Sequence, residues 1–455
     1  MPLLYGDSTQ PFTFFGNAYL DAVTAPSNPE YKPRELRHSL ELSQPKLLVT
    51  TSELAETAVE AAEDTSVEII VTTDESTDFE SLHQLAATAD KLSATHDSGC
   101  DAVGLHMYTS GTTGPPKAVE CTHENWTLSA IDFQKRMQFT HEDTLLTALP
   151  LFHANAQVYS TLGAAAAGAN VVIYPKFSSS NWWDWCRKHD VTEFNAMGSM
   201  LKVLDNKPAE SSDSDNPVER VFSAGTPAEL IEPFEDRFSL QVVEGYSLTE
   251  DTMLVLNPVD KSKRRIGSVG LPPAEKRIQI VDKDGNPVPQ GTRGEIVMDC
   301  PAIMKGYYRQ PEKTAEAIQD GWFHTGDYGR IDEDGFVYFL DRKKDIVRRG
   351  GENISSFEVE GVIKALDAVD EVAVVPTPDE YYTEVVTALV KVKDGYEITE
   401  TDVINQCEQH LSHFKIPRYV SFVRLFPYTP TGKIQKQQLR EKEREDDITH
   451  WDRKN

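Results

Sequence analysis

The stretch Met107-Tyr108-Thr109-Ser110-Gly111-Thr112-Thr113-Gly114-Pro115-Pro116-Lys117-Ala118-Val119-Glu120 decides the reading of this chain. Four hydroxyl residues, Thr109, Ser110, Thr112 and Thr113, alternate with Gly111 and Gly114 and are followed by Lys117. Glycines let a backbone come close to a ligand, and successive N–H groups in such a turn make a concave anion site. Hydroxyls add donors that rotate to suit, and a lysine adds a point charge suited to phosphate. The spacing is not that of a Walker A loop, because Pro116 precedes the lysine and Ala118 follows it.

Outward from this stretch, Lys46–Thr50 and Glu68–Thr72 read as buried parallel strands with a helix, Ser52–Ala62, between them. A helix is expected at Thr122–Met137, strands at Val171–Tyr174, Val221–Gly225 and Val242–Tyr246, and a Trp-rich helix at Asn181–His189. From Arg277 short alternating strands joined by Asp-Gly turns suggest a β-rich subdomain. The polar stretch Asp341-Arg342-Lys343-Lys344-Asp345 reads as a hinge, and beyond it strands and helices alternate in a small α/β domain. The expected class is therefore α/β. A large N-terminal domain, 1–341, holds two mixed α/β sheet subdomains and a β-rich one, and a small mobile α/β domain spans 342–455.

At 455 residues the chain is long enough for two or three domains. Its 73 acidic against 45 basic residues leave a formal charge of −28, which argues against nucleic acid or an anionic membrane as partner. The acids are spread along the chain, as on an exterior suited to high salt. The five cysteines form no Cys-x-x-Cys pair, which fits reduced thiols and a cytoplasmic protein. No secretory signal opens the sequence, and the apolar run from Leu162 to Tyr174 is too short to span a bilayer.

Further motifs carry chemistry. Glu244-Gly245-Tyr246-Ser247-Leu248-Thr249-Glu250 sits at a strand end, where open α/β sheets bind ligands. There Tyr246 can stack on a purine and Glu250 can hold Mg²⁺ through oxygen. Asp327, in Trp322-Phe323-His324-Thr325-Gly326-Asp327, is placed to accept ribose hydroxyls, and Lys433 follows Thr429-Pro430-Thr431-Gly432.

In order and approximate spacing these segments closely resemble the adenylate-forming (AMP-binding) superfamily, from about Phe14 to Arg440. The resemblance implies ATP, Mg²⁺ and CoA as cofactors and co-substrates, and a small-molecule carboxylic acid as substrate. It makes Thr109, Ser110, Gly111, Thr112, Thr113, Gly114 and Lys117 the pyrophosphate loop, and Gly225, Glu244, Gly245 and Tyr246 the adenine pocket. Thr249 and Glu250 become the α-phosphate and metal contacts, with Thr109 also at the metal, and Asp327 and Arg342 hold the ribose. Lys433 bridges carboxylate and α-phosphate, and Lys344 is the hinge. Gly350, Gly351 and Glu352 guide the thiol. His153 is a gate beside an acyl pocket that includes Met197, Gly198 and Leu248.

Arg348-Arg349-Gly350-Gly351-Glu352-Asn353 and Phe414-Lys415-Ile416-Pro417 look like the acyl-CoA ligase branch. Lys263–Gly270 resembles the crotonobetaine/carnitine-CoA ligases. The implied activity is an AMP-forming acyl-CoA synthetase of fatty acid metabolism. The alternatives are a stand-alone adenylation enzyme that loads a carrier protein, or an inactive acyl- or nucleotide-binding homologue. Two departures stand out. Ser247 occupies a position where the family usually has glycine. The family also carries a longer stretch before Phe14, which implies either a misplaced start or an absent sheet edge, with unpaired strands and part of the first subdomain uncovered.

Overall fold

The computed structural model describes residues 1–74, 78–91, 99–109, 116–342, 345–349, 352–379, 382–411, 413–428, 433–444 and 451–453. Contacts divide the chain into two compact units. One takes in Met1–Ile278, Val297–His324 and Asp334–Val337; the other Gln279–Ile296, Thr325–Glu333 and Tyr338–Asn455.

The larger unit is built on a six-stranded sheet. From one edge its strands are Asp251–Leu256, Gln241–Leu248, Arg220–Ala224, Glu193–Met197, Thr144–Thr147 and Asn170–Ile173. The last five run parallel, and Asp251–Leu256 returns antiparallel on the edge. Parallel strands buried on both faces need apolar side chains pointing both ways, and these strands have them. Phe222 and Val243 face Trp126, Phe133 and Met137 of the helix His123–Met137. Val221, Val242 and Phe194 face Trp182, Phe234 and Phe238 on the other side. The helix His123–Met137 starts in a capping box: Thr122 Oγ1 accepts the Asn125 N–H at 3.1 Å, and Asn125 Oδ1 accepts the Thr122 N–H at 2.9 Å. Between sheet and helix lies the segment Asn155–Leu162, wound as a π-helix, with Ala156 to Thr161 buried.

Two smaller sheets lie wholly within this unit. Val103–Thr109 pairs antiparallel with Lys117–Thr122, whose other side pairs with Gly306–Tyr307. Leu47–Thr50, Ile69–Thr72 and Glu80–Ser81 run parallel, as the βαβ rhythm predicts. Val49 donates to the Met1 carbonyl and accepts from the Leu3 N–H, so residues 1–4 lie along Leu47–Thr50.

In the smaller unit Val369–Asp379 and Thr383–Val392 form a long antiparallel pair, extended by Tyr419–Phe422 in parallel. The helices Ser356–Lys364 and Glu400–His410 supply the apolar residues Val359, Ile363, Val403 and Cys407, which pack with Val374, Val386 and Val390. No described helix is long and apolar enough to cross a membrane.

Candidate active site

Two antiparallel hairpins build the candidate site of the larger unit. In the first, Thr109 and Lys117 are register partners at the strand ends. The residues between them that carry the expected pyrophosphate loop (Ser110, Gly111, Thr112, Thr113 and Gly114) lie outside the described residues. In the second, Leu248 pairs with Asp251, which leaves Thr249 and Glu250 as a two-residue turn.

Tyr307, from the third strand of the first sheet, joins the two hairpins. Its hydroxyl donates to Glu250 Oε1 at 2.8 Å, and the Lys117 ammonium lies over its ring at 3.6 Å from the centroid. The Met304 N–H donates to the Glu250 carbonyl at 2.8 Å, so both backbone and side chain of Glu250 are held. Burial lowers the Lys117 ammonium from the usual lysine range, and the Glu250 charge acts against that. Burial, with the adjacent Glu250 carboxylate, pushes the Tyr307 phenol up. An ammonium and a carboxylate placed about one phenol suit a phosphate chain carrying a hard cation. Among the described residues no group of three or more His, Cys, Asp or Glu forms a metal site. A single carboxylate such as Glu250 has the chemistry to share a Mg²⁺ with phosphate oxygens. Thr109 Oγ1 is buried and has no hydrogen-bond partner among the described residues, a second oxygen of the right chemistry.

The residues expected to line an adenine pocket lie where the strands Arg220–Ala224 and Gln241–Leu248 end side by side. Glu244 is buried, and its Oε1 accepts the Gly225 N–H at 2.6 Å and the Thr226 N–H at 3.2 Å. Burial pushes the Glu244 carboxyl up to about 8, against those donors, which favour the charged form. Gly225 has φ +72°, a conformation natural to glycine, and carries the chain round so that the next N–H, of Thr226, also meets the carboxylate. Gly198, first residue of the helix Gly198–Asp205, backs onto this turn: a Cβ there would lie 2.2 Å from the Gly225 carbonyl oxygen. Gly245 sits in the strand between Glu244 and the half-buried Tyr246, paired with Leu256.

Met197 ends its strand beside Ala224, and Leu248 packs against the aromatic cluster around Phe133. His153 lies just before the π-helix, its ring 4.5 Å from that of Phe152. Ser247, in place of the family's usual glycine, meets the Tyr159 hydroxyl at 2.8 Å, and that phenol also reaches the Thr252 carbonyl at 2.7 Å. On the strand Glu193–Met197, Asn195, 1% exposed, donates from Nδ2 to Ser160 Oγ at 2.9 Å. The Asn195 Oδ1 and the Asn155 Oδ1 are buried with no hydrogen-bond partner among the described residues.

The smaller unit holds the remaining residues. Asp327 is buried in the strand Trp322–Ile331, its N–H on Thr325 Oγ1 at 3.0 Å. The preceding Gly326, at φ +69°, donates its N–H to Glu295 at 3.2 Å. Lys433 is exposed and precedes Ile434, which bridges to Tyr428. Arg342 and Glu352 are described by their backbone alone, at the end of Val337–Arg342 and the start of Glu352–Ile354. Lys344, Gly350 and Gly351 lie outside the described residues.

Sequence reasoning missed Tyr307, Tyr159 and Lys276. The glycine before Tyr307 in a short strand is a faint signal; the other two carry none.

Comparison with known proteins fits this geometry. Residues 9–308 match the family model of the AMP-binding enzymes, and residues 358–433 match that of the AMP-binding enzyme C-terminal domain. A sulfoacetate–CoA ligase of Cupriavidus necator is 33% identical over 419 residues, 92% of this chain and 82% of that protein. A crotonobetaine/carnitine–CoA ligase of Salmonella typhi is 30% identical over 443 residues, 94% of this chain and 85% of that protein. Among solved structures, ATP-bound MatB from Rhodopseudomonas palustris superposes with a TM-score of 0.90 at 29% identity, covering 97% of this chain and 87% of the other. The o-succinylbenzoate CoA synthetase of Bacillus subtilis, in complex with its acyl-adenylate intermediate, superposes with a TM-score of 0.85 at 27% identity, covering 96% and 87%. With both its large and its C-terminal part matched, this chain belongs to the family of AMP-binding enzymes.

Proposed function

We propose that the chain is an AMP-forming acyl-CoA synthetase, an acid–thiol ligase acting on a short, polar carboxylic acid. The observation that carries the reaction type is the placement of Lys117 and Glu250 about Tyr307. In the first step a carboxylate oxygen attacks the α-phosphorus of ATP and the bond to the β-phosphate oxygen breaks, giving acyl-adenylate and pyrophosphate. Two anions meet, so charge must be neutralised where it gathers. Lys117 takes the β- and γ-phosphates, and Lys433 bridges the carboxylate and α-phosphate. Thr249 donates to the α-phosphate, and His153 gates the acyl group. Glu250 and Thr109 would hold Mg²⁺, which when bound offsets phosphate charge. Glu244, Gly225, Gly245 and Tyr246 form the adenine pocket, and Asp327 and Arg342 hold the ribose hydroxyls.

In the second step the CoA thiol, having lost its proton, attacks the acyl carbon and AMP leaves. Lys344 is the pivot on which the smaller domain turns for that step, and Gly350, Gly351 and Glu352 line the thiol's approach. A cytoplasmic location belongs to the same reading, since the five cysteines form no Cys-x-x-Cys pair in the sequence.

The substrate class is read from the relatives and from Ser247, whose hydroxyl stands where the family usually has glycine and meets the Tyr159 hydroxyl. Relatives named for sulfoacetate and for crotonobetaine and carnitine point the same way.

The test is ATP–pyrophosphate exchange with a panel of two- to four-carbon hydroxy, sulfo and amino acids against octanoate. CoA or a pantetheinylated carrier protein is added as acceptor. Exchange with the short polar acids and thioester on CoA are expected; preference for octanoate overturns the substrate class. Lys433→Ala should lower adenylation by about 10²–10³-fold while sparing CoA attack on supplied acyl-adenylate. Lys344→Pro and Gly351→Trp should do the reverse. Equal loss of both steps in all three variants overturns the two-step division.

A further inference from the structure

Next to Glu250 the structure buries an ion pair that the proposed reaction does not use. Lys276 and Asp251 have fully buried side chains, with Nζ and Oδ2 2.7 Å apart. Lys276 also donates to the Met253 carbonyl at 2.5 Å, an acceptor on the edge strand Asp251–Leu256. Asp251 Oδ1 in turn accepts the Met253 N–H at 3.2 Å and the Cys300 thiol at 3.4 Å, and its backbone bridges to Ile303.

A buried ion pair is a weak device for stability, because desolvating two charges consumes most of their attraction, and apolar pairs of similar volume often do as well. Its strength is directional: it fixes one geometry. Here the geometry it fixes is the residue that ends the Thr249-Glu250 turn. Asp251 is held from one side by Lys276 and from the other by Cys300. Glu250 is held by the Met304 N–H and the Tyr307 hydroxyl, from the same segment as Cys300. Turn and segment are thus pinned at two successive residues, and the Lys276 ammonium comes from neither of them.

We infer that the Lys276–Asp251 pair sets the position of the Thr249-Glu250 turn for nucleotide binding, which makes Lys276 a positioning residue for adenylation. The inference rests on the proposed role of Glu250 at the nucleotide.

Three variants test it: Asp251→Asn, which keeps shape; Lys276→Met; and the charge-free double variant Lys276→Met/Asp251→Asn. Each is assayed for melting temperature, for MgATP affinity by calorimetry, and for kcat and KM of pyrophosphate exchange. Lys276→Met should melt lower and bind MgATP about 10- to 100-fold more weakly, the range typical when a supporting partner of a ligand-binding group is removed. Its KM for the acid should stay unchanged. The double variant should regain melting temperature, because no lone charge is left buried, without regaining MgATP affinity. Parental MgATP affinity in a folded Lys276→Met variant overturns the inference, as does recovery of affinity and stability together in the double variant. Where Lys276→Met fails to fold, Asp251→Asn and the double variant give the same comparison. If the parent binds MgATP but exchanges pyrophosphate with no acid, the synthetase reading fails while the affinities still decide the role of Lys276.

Discussion

The two ends of the six-stranded sheet each bury a glutamate, and they treat it differently. At the end where the parallel strands finish, Glu244 accepts the N–H groups of Gly225 and Thr226. At the end where they begin, Glu193 is fully buried, and neither of its oxygens has a hydrogen-bond partner among the described residues. Its nearest cation, Arg220, has Nε 3.7 Å from Oε2, beyond hydrogen-bond reach, and places NH2 3.3 Å from Asp143 instead. Burial, with Asp143 and Glu219 nearby, drives the Glu193 carboxyl well above its ordinary range in spite of Arg220. The difference lies in where the donors go. The turn after Ala224 gives two N–H groups to Glu244, whereas around Glu193 the nearby donors, from Thr140, Thr192 and Arg220, go to Asp143 instead. Under the proposed function the Glu244 end meets the nucleotide, and the Glu193 end only closes the core.

The largest effect that could break this comparison is on rate. Lys117→Ala should slow acyl-adenylate formation by about 10²–10³-fold, as loss of a preorganised cation does. Glu193→Gln should leave kcat and both KM values unchanged in the same exchange assay. A comparable loss from Glu193→Gln would make the two ends equivalent.

Glu244→Gln sharpens it further and should raise the KM for ATP by about tenfold, one hydrogen bond's worth of binding. It also alters stability with pH. With the folded carboxyl at about 8, the folded state keeps a proton that the unfolded chain releases, so stability falls as pH rises from the ordinary carboxyl range through about 8. Glu244→Gln should flatten that part of a melting-temperature profile; an unaltered profile would mean that the carboxyl is charged throughout.

The smallest effect is spread over the surface. With a net charge of −28, melting temperature should rise between low salt and molar KCl as repulsion is screened. A flat response sinks the acidic-exterior reading.

Much of the larger unit was legible because its strands are short apolar runs between turn residues, and a parallel sheet demands that pattern. Glu244–Glu250 was legible as a motif at a strand end. What escaped were partners brought in from far along the chain. Tyr307 lies 57 residues from the Glu250 it holds, and Tyr159 lies 88 from Ser247. A single tyrosine or lysine in an amphipathic stretch has no periodicity to betray it, and Lys276 reads as an ordinary strand-end charge until Asp251 is seen beside it. The π-helix was hidden for a related reason: its buried run Ala156 to Thr161 mixes polar with apolar residues and matches neither a period of two nor one of 3.6.

The close approach of Gly198 to the Gly225 carbonyl bears on any attempt to retarget the enzyme. Gly198 adjoins Met197 and looks like a natural place to reshape the acyl cavity by randomised mutagenesis. Any side chain there would collide with backbone, which cannot swing aside as a rotamer can, and would displace the turn that binds Glu244. Libraries aimed at new acids are better spent on Met197, Ser247 and Asn195, with codon 198 left as glycine.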